Sequence, residues 1–99
     1  MLEEVKLALR IKSTALDEDI NGLIDACKAD MRIAGIRAPD VAEGAAITKP
    51  IIKRAIILYC KADYNVDDSA ERYLATYENL KAALSLSSES DAADGDSDD

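Results

Sequence analysis

The side chains that commonly carry catalysis or hold metal ions are few in this chain and poorly spaced for either task. Histidine is absent, which removes the commonest general base and metal ligand. The two cysteines, Cys27 and Cys60, each fall on an apolar helical stripe, so we interpret both as reduced packing residues. No glycine-rich phosphate-binding loop occurs among the four glycines. We therefore predict no catalytic residue, no metal-binding residue and no cofactor.

Two acidic clusters lie where helices are predicted to begin. Carboxylates at 17–19 and at 67–68 suit helix capping and the helix dipole, which explains them without a metal ion. Asp68-Ser69-Ala70 looks like the phosphopantetheine attachment site of an acyl carrier protein. In carriers, however, that serine opens the second long helix, near the middle of the chain, whereas Ser69 opens the last helix. A helix cap is the simpler interpretation, and a carrier protein remains a distant alternative.

Four segments place apolar residues at helical spacing. The first runs from Leu2 to between Arg10 and Lys12, and the second covers 17–34, with Asp17 as its N-cap and Gly35 as its C-cap glycine. Thr48 is the predicted cap of the third, which has Pro50 in its first turn and an almost wholly apolar run over 51–62. The fourth begins at 67–69 and ends near 86. No segment alternates long enough to predict a strand, so the expected fold is an all-α bundle of about four helices.

Two segments lack this pattern. Residues 36–48 contain Pro39 and Gly44 and show no sustained period, so we expect a long loop, and loops of this length are usually functional or disordered. Residues 87–99 contain only Ser, Asp, Glu, Ala and Gly and cannot bury enough surface to become ordered. The predicted organisation is therefore a helical domain over 1–86 and a disordered acidic tail over 87–99.

The net charge of −8 is distributed unevenly. Six of the 20 acids lie in the tail, which leaves 14 acids against 12 bases, a balance of −2, in the helical part. A broad positive field that could collect nucleic acid is absent. Basic residues along the third helix, Lys49, Lys53, Arg54 and Lys61, keep a small regulatory DNA-binding protein as an alternative, although the preceding linker is too long for a helix-turn-helix. No apolar run approaches the length of a membrane span, and we expect a cytoplasmic protein with no membrane partner.

Three parts of the chain share a recognisable pattern: LEEVKLALRI at 2–11, DEDI at 17–20 with LIDACK at 23–28, and PIIKRAIIL at 50–58. Through these motifs the chain, over about 2–66, resembles the head-to-tail connector proteins of tailed phages. In that family a short helix of the first pattern precedes an acidic cap and a second helix. Family members usually carry an aromatic residue late in the second helix, where this chain has Met31.

The resemblance implies a structural virion protein without enzymatic activity, assembled in the host cytoplasm. Such proteins form a homo-oligomeric ring beneath the phage portal protein, extend the channel through which genomic DNA passes as cargo, and receive the next connector or a tail completion protein. Each subunit of a ring presents two different patches to its neighbours. We expect Ile51, Ile57 and Leu58 to contribute to one of them. The loop candidates for facing the channel or a partner are Arg37, Asp40, Glu43 and Lys49.

Overall fold

Four α-helices form the part of the chain that the structure describes, as the sequence predicts. The computed structural model describes the backbone of residues 1–92 and the side chains of residues 1–86. The helices are α1 (Leu2–Leu9), α2 (Asp17–Ile33), α3 (Pro50–Tyr64) and α4 (Ala70–Ala92), and a short 3₁₀ helix covers Pro39–Val41. No strand occurs within residues 1–92. The prediction of an all-α bundle with a long connection between the second and third helices is confirmed.

Helix α3 is the centre of the packing. It contacts α1, α2 and α4, and its contact with α4 is the most extensive in the fold. Its buried residues are Ile52, Ala55, Ile56, Leu58 and Cys60. They meet the buried stripe of α2, which consists of Ile20, Ile24, Cys27 and Met31, and Val5 and Leu9 of α1. A helix apolar on most of its circumference takes this position because neighbours can cover it on several sides.

Residues in the left-handed region end three of the helices. Gly35, with φ of +96°, follows α2, and the Gly35 and Ile36 amides donate to the carbonyls of Arg32 and Met31. This double hydrogen bond is a Schellman motif, so the predicted C-cap glycine is confirmed. Arg10 (φ 62°) ends α1 and Asn65 (φ 49°) ends α3 in the same conformation. Helix α1 therefore ends at Leu9, whereas its apolar pattern predicted an end between residues 10 and 12.

Two predicted caps are corrected by the structure. Asp17 is the first residue inside α2, after Leu16 at the N-cap, and its Oδ1 lies 2.7 Å from Nζ of the buried Lys6. That contact is an ion pair and not a well-aligned hydrogen bond. Thr48 is also not the cap of α3, because Lys49 holds the N-cap position. Both predictions were wrong because each side chain has a tertiary partner in place of a local hydrogen bond. Asp17 pairs with Lys6, and the Thr48 hydroxyl contacts Asp40.

Helix α4 differs from its prediction at both ends. At its start the Ala70 amide donates to Oδ1 of Asn65, at 3.3 Å, so one residue both ends α3 and caps α4. At its far end the helix continues to Ala92, past the predicted boundary at 86. Residues 87–92 of the expected tail thus have helical backbone, and the rest of that tail, 93–99, lies outside the described residues.

Candidate functional site

The buried carboxylate of Asp40 joins the loop 36–48 to the start of α3. Its Oδ2 accepts hydrogen bonds from the Thr48 amide at 2.6 Å and from the Lys49 amide at 2.7 Å. The Lys49 amide, at the N-cap of α3, belongs to the donors that a helix start leaves without intrahelical partners, and the Thr48 amide directly precedes it. Burial alone would raise the pKa of Asp40, but the hydrogen bonds from Lys49 and Thr48 outweigh it and hold the pKa below its usual value. Asp40 thus caps α3 from outside the helix.

Helix α2 holds the other side of the loop through two long basic side chains. Nζ of Lys28, which is buried, donates to the carbonyl of Ala45 at 2.6 Å and to that of Ala42 at 3.4 Å. These two carbonyls lie at the ends of a turn closed by the Ala45 amide on Ala42, with Gly44 at φ +75° in its third position. Arg32 donates to the Val41 carbonyl at 2.6 Å. The loop is therefore an ordered surface fixed to two helices.

The four loop candidates divide into one structural residue and three accessible ones. Asp40 is only 4% exposed and is committed to the start of α3, so it does not face a partner directly. Arg37 and Glu43 are exposed and Lys49 is half-buried. The structure thus brings Arg37, Glu43 and Lys49 to the surface of one anchored loop, and it gives Asp40 the task of fixing that loop.

The three candidates for a subunit contact have different environments. Ile51, at the start of α3, is 45% exposed, whereas Ile57 is partly buried against the core. Leu58 is 5% exposed and belongs to the core of the single chain. Of the three, Ile51 alone therefore offers nearly half of an apolar side chain to a neighbouring molecule, and Leu58 is covered because its side of α3 packs within the bundle.

Three further apolar side chains, which the sequence analysis did not single out, are far more exposed. Ile33 is 85% exposed, Leu7 is 81% exposed and Leu86 is 76% exposed. Each lies on the side of its helix away from the buried stripe. For Ile33 and Leu7 this is visible in the sequence, since they fall out of register with Met31 and with Leu9. A single exposed apolar residue needs no explanation, but three of this size on three helices suggest contact surfaces.

A polar network fixes α4 against α2. The buried Tyr77 donates its hydroxyl hydrogen to Oδ2 of Asp30 at 2.7 Å, and Nζ of Lys81 donates to the same oxygen at 2.9 Å. The Cys27 thiol donates to the Tyr77 hydroxyl at 3.7 Å. Burial, followed by the hydrogen bond to Asp30, raises the pKa of Tyr77, so its hydroxyl remains protonated. One turn further along α4, Ser85 donates to the carbonyl of Ala34, the C-cap residue of α2, at 2.7 Å.

The described side chains form no cluster of metal ligands, and both cysteine thiols are buried. Among residues 1–86, no three His, Cys, Asp or Glu side chains group as ligands for a metal ion. Cys27 and Cys60 are free and buried, which confirms the interpretation that they are reduced packing residues. Burial raises the pKa of each thiol to about 12. Within residues 1–92, no helix has the length and apolar character needed to cross a membrane.

The residues behind the two alternative functions have structural partners. Lys53 pairs with Glu4 at 3.4 Å, and Nζ of Lys61 lies 5.1 Å from the centre of the Tyr73 ring. These contacts reduce the basic surface that a DNA-binding helix would need. Ser69 precedes α4, where its carbonyl accepts the Tyr73 amide, and its hydroxyl lies 3.5 Å from the Asp67 carbonyl. Its position is that of a helix cap residue.

Comparison with known proteins gives one result. A family model described as Phage connector protein matches residues 1–91 of the 99 in this chain. No curated protein and no solved structure matched the sequence. The match covers α1, α2, α3 and all but the last residue of α4, and it agrees with the resemblance seen in the first three helices.

Proposed function

Because the chain belongs to the family of phage connector proteins, we propose that copies of it form a ring between the portal of the capsid and the tail or the next connector. The family is one of structural proteins of phages, not of enzymes. In this proposal the ring extends the channel through which the genome passes, and it assembles in the host cytoplasm before becoming part of the virion.

The observation that supports ring formation is the apolar surface left outside the core. Ile33, Leu7 and Ile51 lie on three different helices whose buried stripes are already covered by the rest of the bundle. Burial of one such side chain contributes about 1.5–3 kcal/mol. Association costs at least about 4 kcal/mol per contact in lost freedom, so two or three buried side chains are needed at each contact. In a ring every subunit has two neighbours, so apolar side chains exposed on several sides of one subunit can be buried at both contacts.

The anchored loop 36–48 is the proposed contact with the portal or the next connector. Its backbone is held by Lys28 and Arg32 from α2 and by its own Asp40, so it presents the exposed Arg37 and Glu43 from a fixed position. A surface that is ordered before binding loses little conformational entropy when a partner docks. The loop therefore suits a docking platform between stacked rings.

The charge of the helical part suits a channel for passing DNA. Residues 1–86 carry 14 acids and 12 bases, a balance of −2. Neutralisation of phosphates by basic side chains is what holds DNA on a protein, and its affinity rises with the number of such contacts. A nearly neutral ring would let the genome slide without retaining it.

Electron microscopy of the protein mixed with its portal tests the proposal. We expect a ring of added density on the portal, and particles made without the protein should lack both this density and an attached tail. Ile33→Asp should weaken the ring, while the matched control Ala82→Asp, on an exposed position of α4, should not. Circular dichroism would establish that both variants keep their helices. Tailed particles formed in the absence of the protein would refute the function.

A further inference from the structure

One side of α2 faces away from the rest of the molecule and carries only acidic charge. We call this side the α2 outer face. It consists of Glu18, Gly22, Asp25, Ala26, Ala29 and Ile33. These residues lie on the opposite side of the helix from the buried Ile20, Ile24 and Cys27. The face thus combines two acids with the most exposed large apolar side chain among the described residues, that of Ile33.

One side of α3 lies away from α2 and carries only basic charge. We call it the α3 strip. It consists of Pro50, Ile51, Arg54 and Lys61. The Lys61 ammonium already lies over the Tyr73 ring, so the exposed Arg54 supplies the free charge of the strip. Helix α3 packs against α2, and its buried stripe containing Ile56 and Cys60 lies in the same core cluster as Cys27 of α2. Arg54 lies roughly opposite that stripe, is exposed, and has no ion-pair partner among residues 1–86.

We propose that the α2 outer face of one copy packs on the α3 strip of the next copy, so that the ring is built from head-to-tail contacts. This inference rests on the proposed function and specifies its subunit interface. The two surfaces have opposite charge, each includes an exposed isoleucine, and each lies on a side of its helix that is away from the contact between α2 and α3. A repeated contact between two different patches is what a closed ring requires, whereas contact of one patch with itself gives only pairs.

The shape of the α2 outer face permits a close approach. A side chain added at Gly22 would have no heavy atom within 4 Å, and the neighbouring Ala26 is also exposed. A helix of 17 residues is about 25 Å long, which is enough for a helix-on-helix contact along its length. Charges at the edges of such a contact set its register and direction more than its affinity.

Cysteine cross-linking tests which surfaces meet. One chain carries a cysteine on the α2 outer face, Ala26→Cys or Ile33→Cys, and the other carries one on the α3 strip, Pro50→Cys or Lys61→Cys. Two positions on each surface remove the need to know the register. The native thiols are buried and do not compete for a short bis-maleimide. The reaction is run on the concentrated purified protein and on particles assembled with the variants.

The expected result is directional. At least one mixture of an α2 variant with an α3 variant should give about fivefold more covalent dimer than either variant alone, and a chain carrying both cysteines should give a ladder of multimers. The control mixture pairs Ala82→Cys, on the exposed side of α4, with the same α3 variants and should give no excess. Dominant cross-linking of α2 variants with themselves, or yields at the control level, would overturn the interface.

Charge reversal tests the complementarity separately. Replacement of both acids of the α2 outer face, Glu18→Lys with Asp25→Lys, should lower the cross-linking yield about fivefold at low salt, and Arg54→Glu in the partner chain should recover part of it. If charge reversal leaves the cross-linking yield unchanged, the electrostatic argument is contradicted.

If electron microscopy shows rings on portals but the α2–α3 cross-link is absent from them, the interface is wrong and the proposed function stands. If no ring forms on the portal, the proposed function itself fails.

Discussion

Replacement of Asp40 by alanine should separate the loop 36–48 from the start of α3 while leaving the core intact. The carboxylate accepts the Thr48 amide at 2.6 Å and the Lys49 amide at 2.7 Å from a buried position. A buried donor left without an acceptor costs about 1–3 kcal/mol, and loss of a helix cap typically costs about 1 kcal/mol. We expect Asp40→Ala to lower the free energy of unfolding by about 2–3 kcal/mol and Tm by about 10–20 °C.

The matched control is Thr48→Ala. The sequence suggested Thr48 as the cap of α3, whereas its hydroxyl lies 3.3 Å from Oδ2 of Asp40 at an exposed position. Its replacement should therefore cost less than about 0.5 kcal/mol. Urea unfolding followed by circular dichroism measures the stability of both variants. If the unfolding free energy depends on urea concentration with the same slope in both, their midpoints differ because of stability alone. A loss in Thr48→Ala as large as that in Asp40→Ala would refute the assignment of the cap.

The pH dependence follows from the lowered pKa of Asp40. Burial opposes ionisation, but the hydrogen bonds from the Lys49 and Thr48 amides keep the folded-state pKa below its ordinary value. An aspartate in the unfolded chain titrates near about pH 3.9. The stabilisation is thus fully present above that pH and is lost as the pH falls through the lower, folded-state pKa. The stability difference between wild type and Asp40→Asn should narrow below about pH 4, and a constant difference would mean that ionisation of Asp40 contributes nothing.

Three further predictions test the helix contacts. Tyr77→Phe removes the hydroxyl that joins α4 to α2 and should lower the free energy of unfolding by about 1 kcal/mol in urea titrations. Gly35→Ala places a side chain at φ +96° and should lower the free energy of unfolding by about 1–2 kcal/mol. Gly22→Ala, in an open helix interior, should raise it by about 0.5–1 kcal/mol, and a change of the same sign in both variants would contradict the geometry. The thiols of Cys27 and Cys60, whose pKa burial raises to about 12, should react with a thiol reagent only after unfolding, and fast labelling of the native protein would contradict their burial.

Local signals in the sequence predicted the helices well. Helix α2 begins at the predicted residue and ends one residue early, because its apolar stripe and Gly35 both act within the helix or one turn beyond it. The boundaries of α3 were also close, since Pro50 is its first residue. Apolar periodicity and glycine conformation depend only on neighbours in the chain, so the sequence carries this information directly.

The contacts that fix the surfaces were not predictable in the same way. Asp40 caps a helix that begins ten residues later, and Tyr77 meets Asp30 across 47 positions. Both are polar pairs that form only after the helices have packed. For the same reason the sequence could not choose among the apolar residues of α3. Leu58 lies within the core and Ile51 is nearly half exposed, and this depends on which sides of α3 its neighbours cover.

The turn from Ala42 to Ala45 is closed at its base by Lys28, so its exposed tip can accept an inserted segment. Lys28 holds the carbonyls of both end residues, while Gly44 at the tip is exposed and has no heavy atom within 4 Å of an added side chain. A short epitope inserted between Glu43 and Gly44 would lengthen the tip while the ammonium group keeps its base closed. Because this tip belongs to the proposed contact with the portal or the next connector, antibody fragments bound there should recognise the free protein and prevent its docking.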